Sequence, residues 1–230
     1  MLYMLENTSS LQVKSLGQRL LYERPSYVDS FEAAAQLVTE TIYKTFRTAE
    51  RSHAFSLVRV FRIGLFDELP PDLTIQPTNN SRYWVTLAGT FGTQPEWCER
   101  RLSKGHRAIP EQAAQQAPML HAAFSQIGLQ WGAAAADEMP VENTELMMTR
   151  YFYIKEALNS PYIVDQEAFV KPHGIQSVIG FGGSFIGGAA FVTIAFSRVK
   201  LEKHMADTFV TLSPFIATLL ALCNQKRLWD

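Results

Sequence analysis

At 230 residues, 47% of them hydrophobic, the chain is long enough for one sizeable core, and its net charge of -1 excludes both the basic excess of a nucleic-acid binder and an acidic solvating block. No apolar run reaches the ~20 residues of a membrane span, since Phe209–Cys223 is shorter and carries Pro214. The N-terminus has no basic stretch followed by an uninterrupted apolar one, and Cys98 and Cys223 form neither a CxxC nor a zinc pattern, so a cytoplasmic protein with free thiols is expected.

Residues 1–28 carry weak signals: Leu16, Leu20 and Leu21 predict a short helix ending before Pro25, in an arm that packs on the domain or on a partner. The pattern then firms. Asp29 is placed to cap a helix, Glu32 three residues on is its capping-box partner, and Phe31, Ala34, Ala35, Val38, Ile42, Phe46 and Ala49 recur at helical spacing. Ala54–Arg62 alternates as a strand, with Phe55, Leu57, Arg59 and Phe61 expected on one face and Ser56, Val58 and Val60 on the other. Arg59 thus shares a face with three apolar groups. Two readings stand: an arginine that snorkels to water at a strand end, or a pocket cation facing an anionic ligand.

Pro70, Pro71, Pro77, Asn79 and Asn80 make residues 65–81 a loop, and Tyr83–Thr90 is a second strand. The segment Gln94–Gly105 holds Trp97, Cys98, Arg100, Arg101 and Lys104. A helix is expected over Glu111–Ile127, with Pro118 as a kink or as its true start. Residues 128–143, with Trp131 and four alanines, read as a loop or weak helix, and Tyr151–Ile154 as the end of a strand. A loop-rich stretch over 155–173 leads to two apolar runs, Ile175–Phe181 and Ala189–Phe196, joined by a turn with Gly182, Gly183, Gly187 and Gly188. A last helix begins near Leu201. Its Met205, Phe209, Leu212, Ile216, Leu219 and Cys223, four and three apart, form a seam that packs on the first helix or on a second copy.

None of the five histidines has HxxxH or HExxH spacing, so no metal site is expected. Gly180–Gly183 is followed by a strand rather than a helix, which fits a turn and not a phosphate loop. There is no GxSxG elbow, and Ser103 with His106 three residues on is a minor alternative as a catalytic pair; no catalytic residue is assigned. The candidate ligand-binding set is Phe55, Arg59, Trp97, Arg101, Ser103, His106, His121, Tyr153 and Tyr162, with Phe124 and Trp131 in the segment 97–131 as a lid. Such a mostly apolar wall with a few polar anchors is how small-molecule sites are usually built. The alternative is that these aromatics fill a core.

The order helix, strand, strand, helical insert, strand, loop, strand, strand, helix, with the phrase GIQSVIGFGG…FVTIAFSR, resembles a GAF domain. The resemblance covers roughly residues 31–222 and implies an α+β, GAF/PAS-like antiparallel sheet, with the N- and C-terminal helices on one face and a helical and loop insert over the other. It divides the chain into an arm (1–28), a GAF-like domain (29–224) and a tail (225–230). The phrases Trp97–Pro110 and Ser160–Ile175 are similar to GAF-like sensor regions ahead of bacterial histidine kinases. That likeness implies a sensory or regulatory domain that binds a small molecule, dimerises through Met205–Cys223 and signals through its terminal helices to an output partner. A ligand-free interaction module and an enzyme on the same fold are the alternatives. No output region follows the last helix, so a stand-alone sensor or a separate output partner is expected. Cys98 lacks the adjacent histidine of bilin-binding relatives, no NKxD-like cyclic-nucleotide motif is present, and two distant cysteines fit poorly with the free methionine sulfoxide reductases of this fold. No cofactor is assigned.

Overall fold

The computed structural model describes residues 2–75, 81–128, 151–185 and 188–230. Pro77, Asn79, Asn80, the alanine run with Trp131, and Gly187 lie outside the described residues.

The chain opens with β1 (Tyr3–Met4) and then α1 (Ser10–Tyr22), which starts at a capping box of Ser9 and Gln12. Val13, Leu16 and Leu20 are buried while Leu11 and Tyr22 are exposed, so one stripe of α1 packs on the domain. α2 (Phe31–Thr45) follows. Its cap is Ser30, whose Oγ accepts from the Ala33 amide at 2.9 Å, and not the expected Asp29. Glu32 closes no capping box either; it is drawn to a buried guanidinium, which offers stronger charge-assisted bonds than a neutral amide. β2 (Phe46–Arg47) pairs in parallel with β1.

The main sheet is built from β3 (Phe55–Leu65), β4 (Tyr83–Gly92), β5 (Ala108–Pro110), β6 (Tyr151–Ile154), β7 (Ser177–Ser184) and β8 (Ala190–Ser197). All neighbours are antiparallel, in the order β5-β4-β3-β8-β7-β6. Between β5 and β6 lie α3 (Glu111–Gln116) and α4 (Pro118–Ile127), so Pro118 is a true helix start, where a missing N–H costs nothing. Gly182 and Gly183 belong to β7 rather than to the turn, where Gly188 holds a φ of 91°.

Two apolar layers flank the sheet. On the back, the helices at the two ends of the chain bury Val58, Val60, Ala88, Ile179, Phe181, Phe191 and Ala195. On the front, α3, α4 and the loop 157–175 cover Leu57, Phe61, Ile63, Val85, Leu87, Val178, Val192, Ile194 and Phe196. The expected α+β arrangement is therefore the one adopted. The register of β3 slips between Phe55 and Leu57 and again between Val60 and Phe61. The first irregularity sends Phe55 to the back, where its ring meets Phe46 at 5.9 Å and Phe209 at 5.4 Å.

The last helix comes in pieces: α5 (Lys203–Phe209), a 3-10 turn (Val210–Leu212) and α6 (Ser213–Asn224), with Pro214 in the first turn of α6. By length and composition alone, Lys203–Asn224 is apolar enough to cross a membrane. Its apolar seam has another use. Phe209, Leu212, Ile216, Leu219 and Cys223 are all buried in the chain's own back layer, with α1 and α2 as neighbours. The seam from Phe209 to Cys223 is thus filled from within the chain, with Met205 partly buried at its start.

Past Asn224 the chain turns back. The carbonyls of Arg227 and Leu228 accept from the Phe31 and Glu32 amides at 2.8 and 2.9 Å, supplying partners that the first turn of α2 lacks within its own helix. The Trp229 indole N–H donates to the Glu68 carbonyl at 2.7 Å. The tail is a strap over the start of α2.

Candidate ligand-binding site

Arg59 stands on the front face of the sheet. β3 and β4 pair Leu57 with Gly92, Arg59 with Thr90 and Phe61 with Leu87, so Arg59 and Thr90 stand side by side between two apolar rungs. On its other flank Arg59 faces Ile194 of β8. Trp97 covers the Leu57–Gly92 rung: a side chain at Gly92 would run into its indole and into Leu57.

The turn after β4 closes over this pair. Ser103 is buried and its hydroxyl donates to the Gly105 carbonyl at 3.0 Å. Arg59 Nη2 donates to Ser103 Oγ, and Nη1 to His106 Nδ1, both at 3.4 Å and therefore weak. His106 sits at the rim with a φ of 62°, a left-handed conformation that only a tight turn enforces. Partial burial, and then the Arg59 charge, hold its imidazole below the usual range, so it faces the guanidinium as a neutral acceptor.

Two buried polar atoms in this cluster have no hydrogen-bond partner: Arg59 Nε and Thr90 Oγ1. Among the described residues no carboxylate pairs with Arg59, and burial pushes its pKa down to about 10. The two buried arginines among the described residues are treated differently. Arg62 is held by both oxygens of Glu68 and by Asn224. Arg100 is held by both oxygens of Glu32 and both of Asp72, which override the effect of burial and raise its pKa.

The remaining candidates scatter. Phe55 points to the back layer. Tyr153 does too, with its hydroxyl on the Leu201 carbonyl, because Phe152 and Ile154 take the front positions of β6. Arg101 lies outside the cluster, exposed, with Nη2 on the Asp230 carbonyl at 2.9 Å and Nη1 3.4 Å from Glu32. His121 is exposed on α4 and hydrogen-bonds to none of the cluster. Tyr162 is exposed on the outer side of Phe152, with ring centroids 6.3 Å apart. Trp97 is one rung from Arg59 but packs on His173 and Phe169. Phe124 is buried in the front core. Thr90 was not singled out by the sequence, where nothing reveals its pairing with Arg59.

Ser103 and His106 share no hydrogen bond, because the serine proton goes to Gly105. Cys98 lies at the turn after β4 with Sγ 3.4 Å from the Gln94 carbonyl, and Cys223 is buried on α6; both are free and they do not cluster.

No protein-family model and no curated protein matches the chain. Solved structures do. The free methionine-R-sulfoxide reductase of Neisseria meningitidis, in complex with its substrate, is similar over 98% of this chain and 98% of that one, with a TM-score of 0.51 at 10% identity. The fRMsr of Staphylococcus aureus in reduced form is similar over 94% and 97%, with a TM-score of 0.48 at 8% identity. The GAF domain of a phosphoenolpyruvate-protein phosphotransferase from Coxiella burnetii is similar over 93% and 94%, with a TM-score of 0.46 at 11% identity. At these identities the likeness concerns the fold alone. The chain has a GAF-like fold.

Proposed function

We propose that this GAF-like chain is a sensory or regulatory domain that binds a small molecule on the front of its sheet, at Arg59 and Thr90, and passes the change to a partner through its C-terminal segment. The observation that carries the reading is the desolvated Arg59 guanidinium, with a free Nε, no described counter-charge and an unpartnered hydroxyl beside it. A buried charge left alone is costly, and folded proteins keep one where something else supplies the partner. The absence of a thiol beside Arg59, and the diversion of the Ser103 proton, favour binding over catalysis.

A route to the C-terminus runs through one short segment. Ser103 and His106 touch Arg59, while Arg100 and Arg101, a few residues earlier, hold the strap: Arg100 lies 5.4 Å from the Trp229 ring centroid and Arg101 donates to the Asp230 carbonyl. A ligand shifts this coupling only by binding one arrangement of residues 99–106 better than another.

Native mass spectrometry of the full chain, wild type beside Arg59→Gln, tests the reading. A small molecule carried by the wild type and lost from the variant is expected. No bound molecule, together with no compound in a metabolite thermal-shift panel whose effect depends on Arg59, would leave the ligand-free interaction module in its place.

A further inference from the structure

We infer that the ligand is an organic carboxylate with an apolar body, bound side-on at the Nε/Nη2 edge of Arg59. This rests on the reading above and names the ligand class for that site. The guanidinium has two edges to offer. The edge formed by Nη1 and Nη2 already faces His106 and Ser103. The edge formed by Nε and Nη2 has one nitrogen without a partner and one with a single long contact of 3.4 Å. Two parallel N–H donors at that spacing match the two oxygens of a carboxylate. Thr90 Oγ1, on the paired residue of β4 and also without a partner, is placed to donate a third bond to the same anion.

Charge count separates a carboxylate from a phosphate. Among the described residues Arg59 is the one arginine in this cluster; partial burial and the Arg59 charge lower the pKa of the nearby imidazole, which disfavours a second positive charge, and the cluster is walled by Leu57, Ile194 and Trp97. A single cation in an apolar wall balances one negative charge. A phosphate dianion would keep an unbalanced charge in the same desolvated place. Leu57 and Ile194 beside the cluster are apolar and buried, so a ligand that enters among them suits an aliphatic or aromatic body better than the hydration shell of an inorganic anion.

The test uses the full chain, labelled with nitrogen-15 and at the Thr methyls, titrated with 3-phenylpropionate, 3-phenylpropanamide and inorganic phosphate at millimolar concentrations. The expected result is a saturable shift of the Arg59 Nε–H and Thr90 methyl signals with 3-phenylpropionate, at least tenfold weaker binding of the amide, and no saturation with phosphate. Arg59→Gln should weaken 3-phenylpropionate by about 10- to 100-fold, the usual range for losing bonds to a charged group. Arg59→Lys, which keeps the charge but not the fork, should recover only part of that loss. Equal binding of amide and carboxylate would overturn the carboxylate and leave a neutral-ligand site standing. Saturation by phosphate at lower concentration would overturn it in favour of a phosphoryl ligand. Shifts that saturate for none of the three would overturn both this inference and the site on which it rests.

Discussion

Arg59 and Arg100 are opposite solutions to one problem, and substitution should separate them. Arg59 is desolvated with no described counter-charge, so Arg59→Met is expected to raise the stability of the ligand-free chain by about 1 kcal/mol or more, read as a higher urea midpoint at unchanged slope. Arg100, 1% exposed, is held by two bidentate carboxylates. Arg100→Ala leaves the buried Glu32 with only its longer contacts to Arg101 and the Asp230 amide, and Asp72 with Arg107 alone, and should cost about 3–5 kcal/mol. The same unfolding experiment across pH reports the histidines. Burial first, and then the charges of Arg47, Arg59 and Arg198 respectively, hold His53, His106 and His173 below the ordinary value of 6.5. The unfolded chain therefore takes up protons before the folded one does. Their contribution is fully present above about pH 6.5 and is lost as the pH falls through the lowered folded values. A urea midpoint that drops between pH 7 and 5, with a smaller drop in His173→Asn, is the expected record. Asp72 and Glu68, which Arg100 and Arg62 hold below their usual range against the opposing effect of burial, add a second loss only below about pH 4.

At the scale of elements, the sequence was most informative where one period runs unbroken. The apolar stripe of α2, the alternation in β4, and the paired runs of β7 and β8 each specify a type and a buried face. It misled where the period breaks. The irregularity between Phe55 and Leu57 inverts one residue, and no property of Phe55 itself announces it. Tyr151 and Tyr153 were legible as strand residues, but not which side they face, since both sides of this sheet are covered and both accept aromatics. The Arg59–Thr90 pairing was hidden for the same reason: it depends on a register set by a bulge at Val60/Phe61. Contact between sheet and helix can be probed at two glycines. A methyl on Gly89 would meet the Ala35 backbone of α2, which cannot move alone, whereas one on Gly183 meets only the Phe191 ring edge at 3.5 Å. Gly89→Ala should cost about 1–3 kcal/mol and Gly183→Ala clearly less, by the same urea midpoints.

For the whole molecule, the resemblance to GAF domains correctly anticipated the layers and the leucines of the arm its short helix, while the docking of the chain's last residues was not legible. Of the last six residues only Leu228 and Trp229 are apolar, and the anchoring of this tail comes from backbone amides and ion pairs across nearly the full chain length, which no local pattern encodes. The strap should be structural. Removing Lys226–Asp230 is expected to lower stability and to speed hydrogen exchange at the Phe31 and Glu32 amides, with little change in the central strands. Unchanged exchange at those two amides would show that water replaces the strap at no cost. The seat of Trp229 also equips the molecule with an optical gauge. Its indole lies over one guanidinium and is hydrogen-bonded to one carbonyl, so its emission colour should report whether the chain's last residues are docked or loose. With Trp84, Trp97 and Trp131 replaced by phenylalanine, a red shift on adding a ligand at Arg59 would register release of the strap without any attached dye.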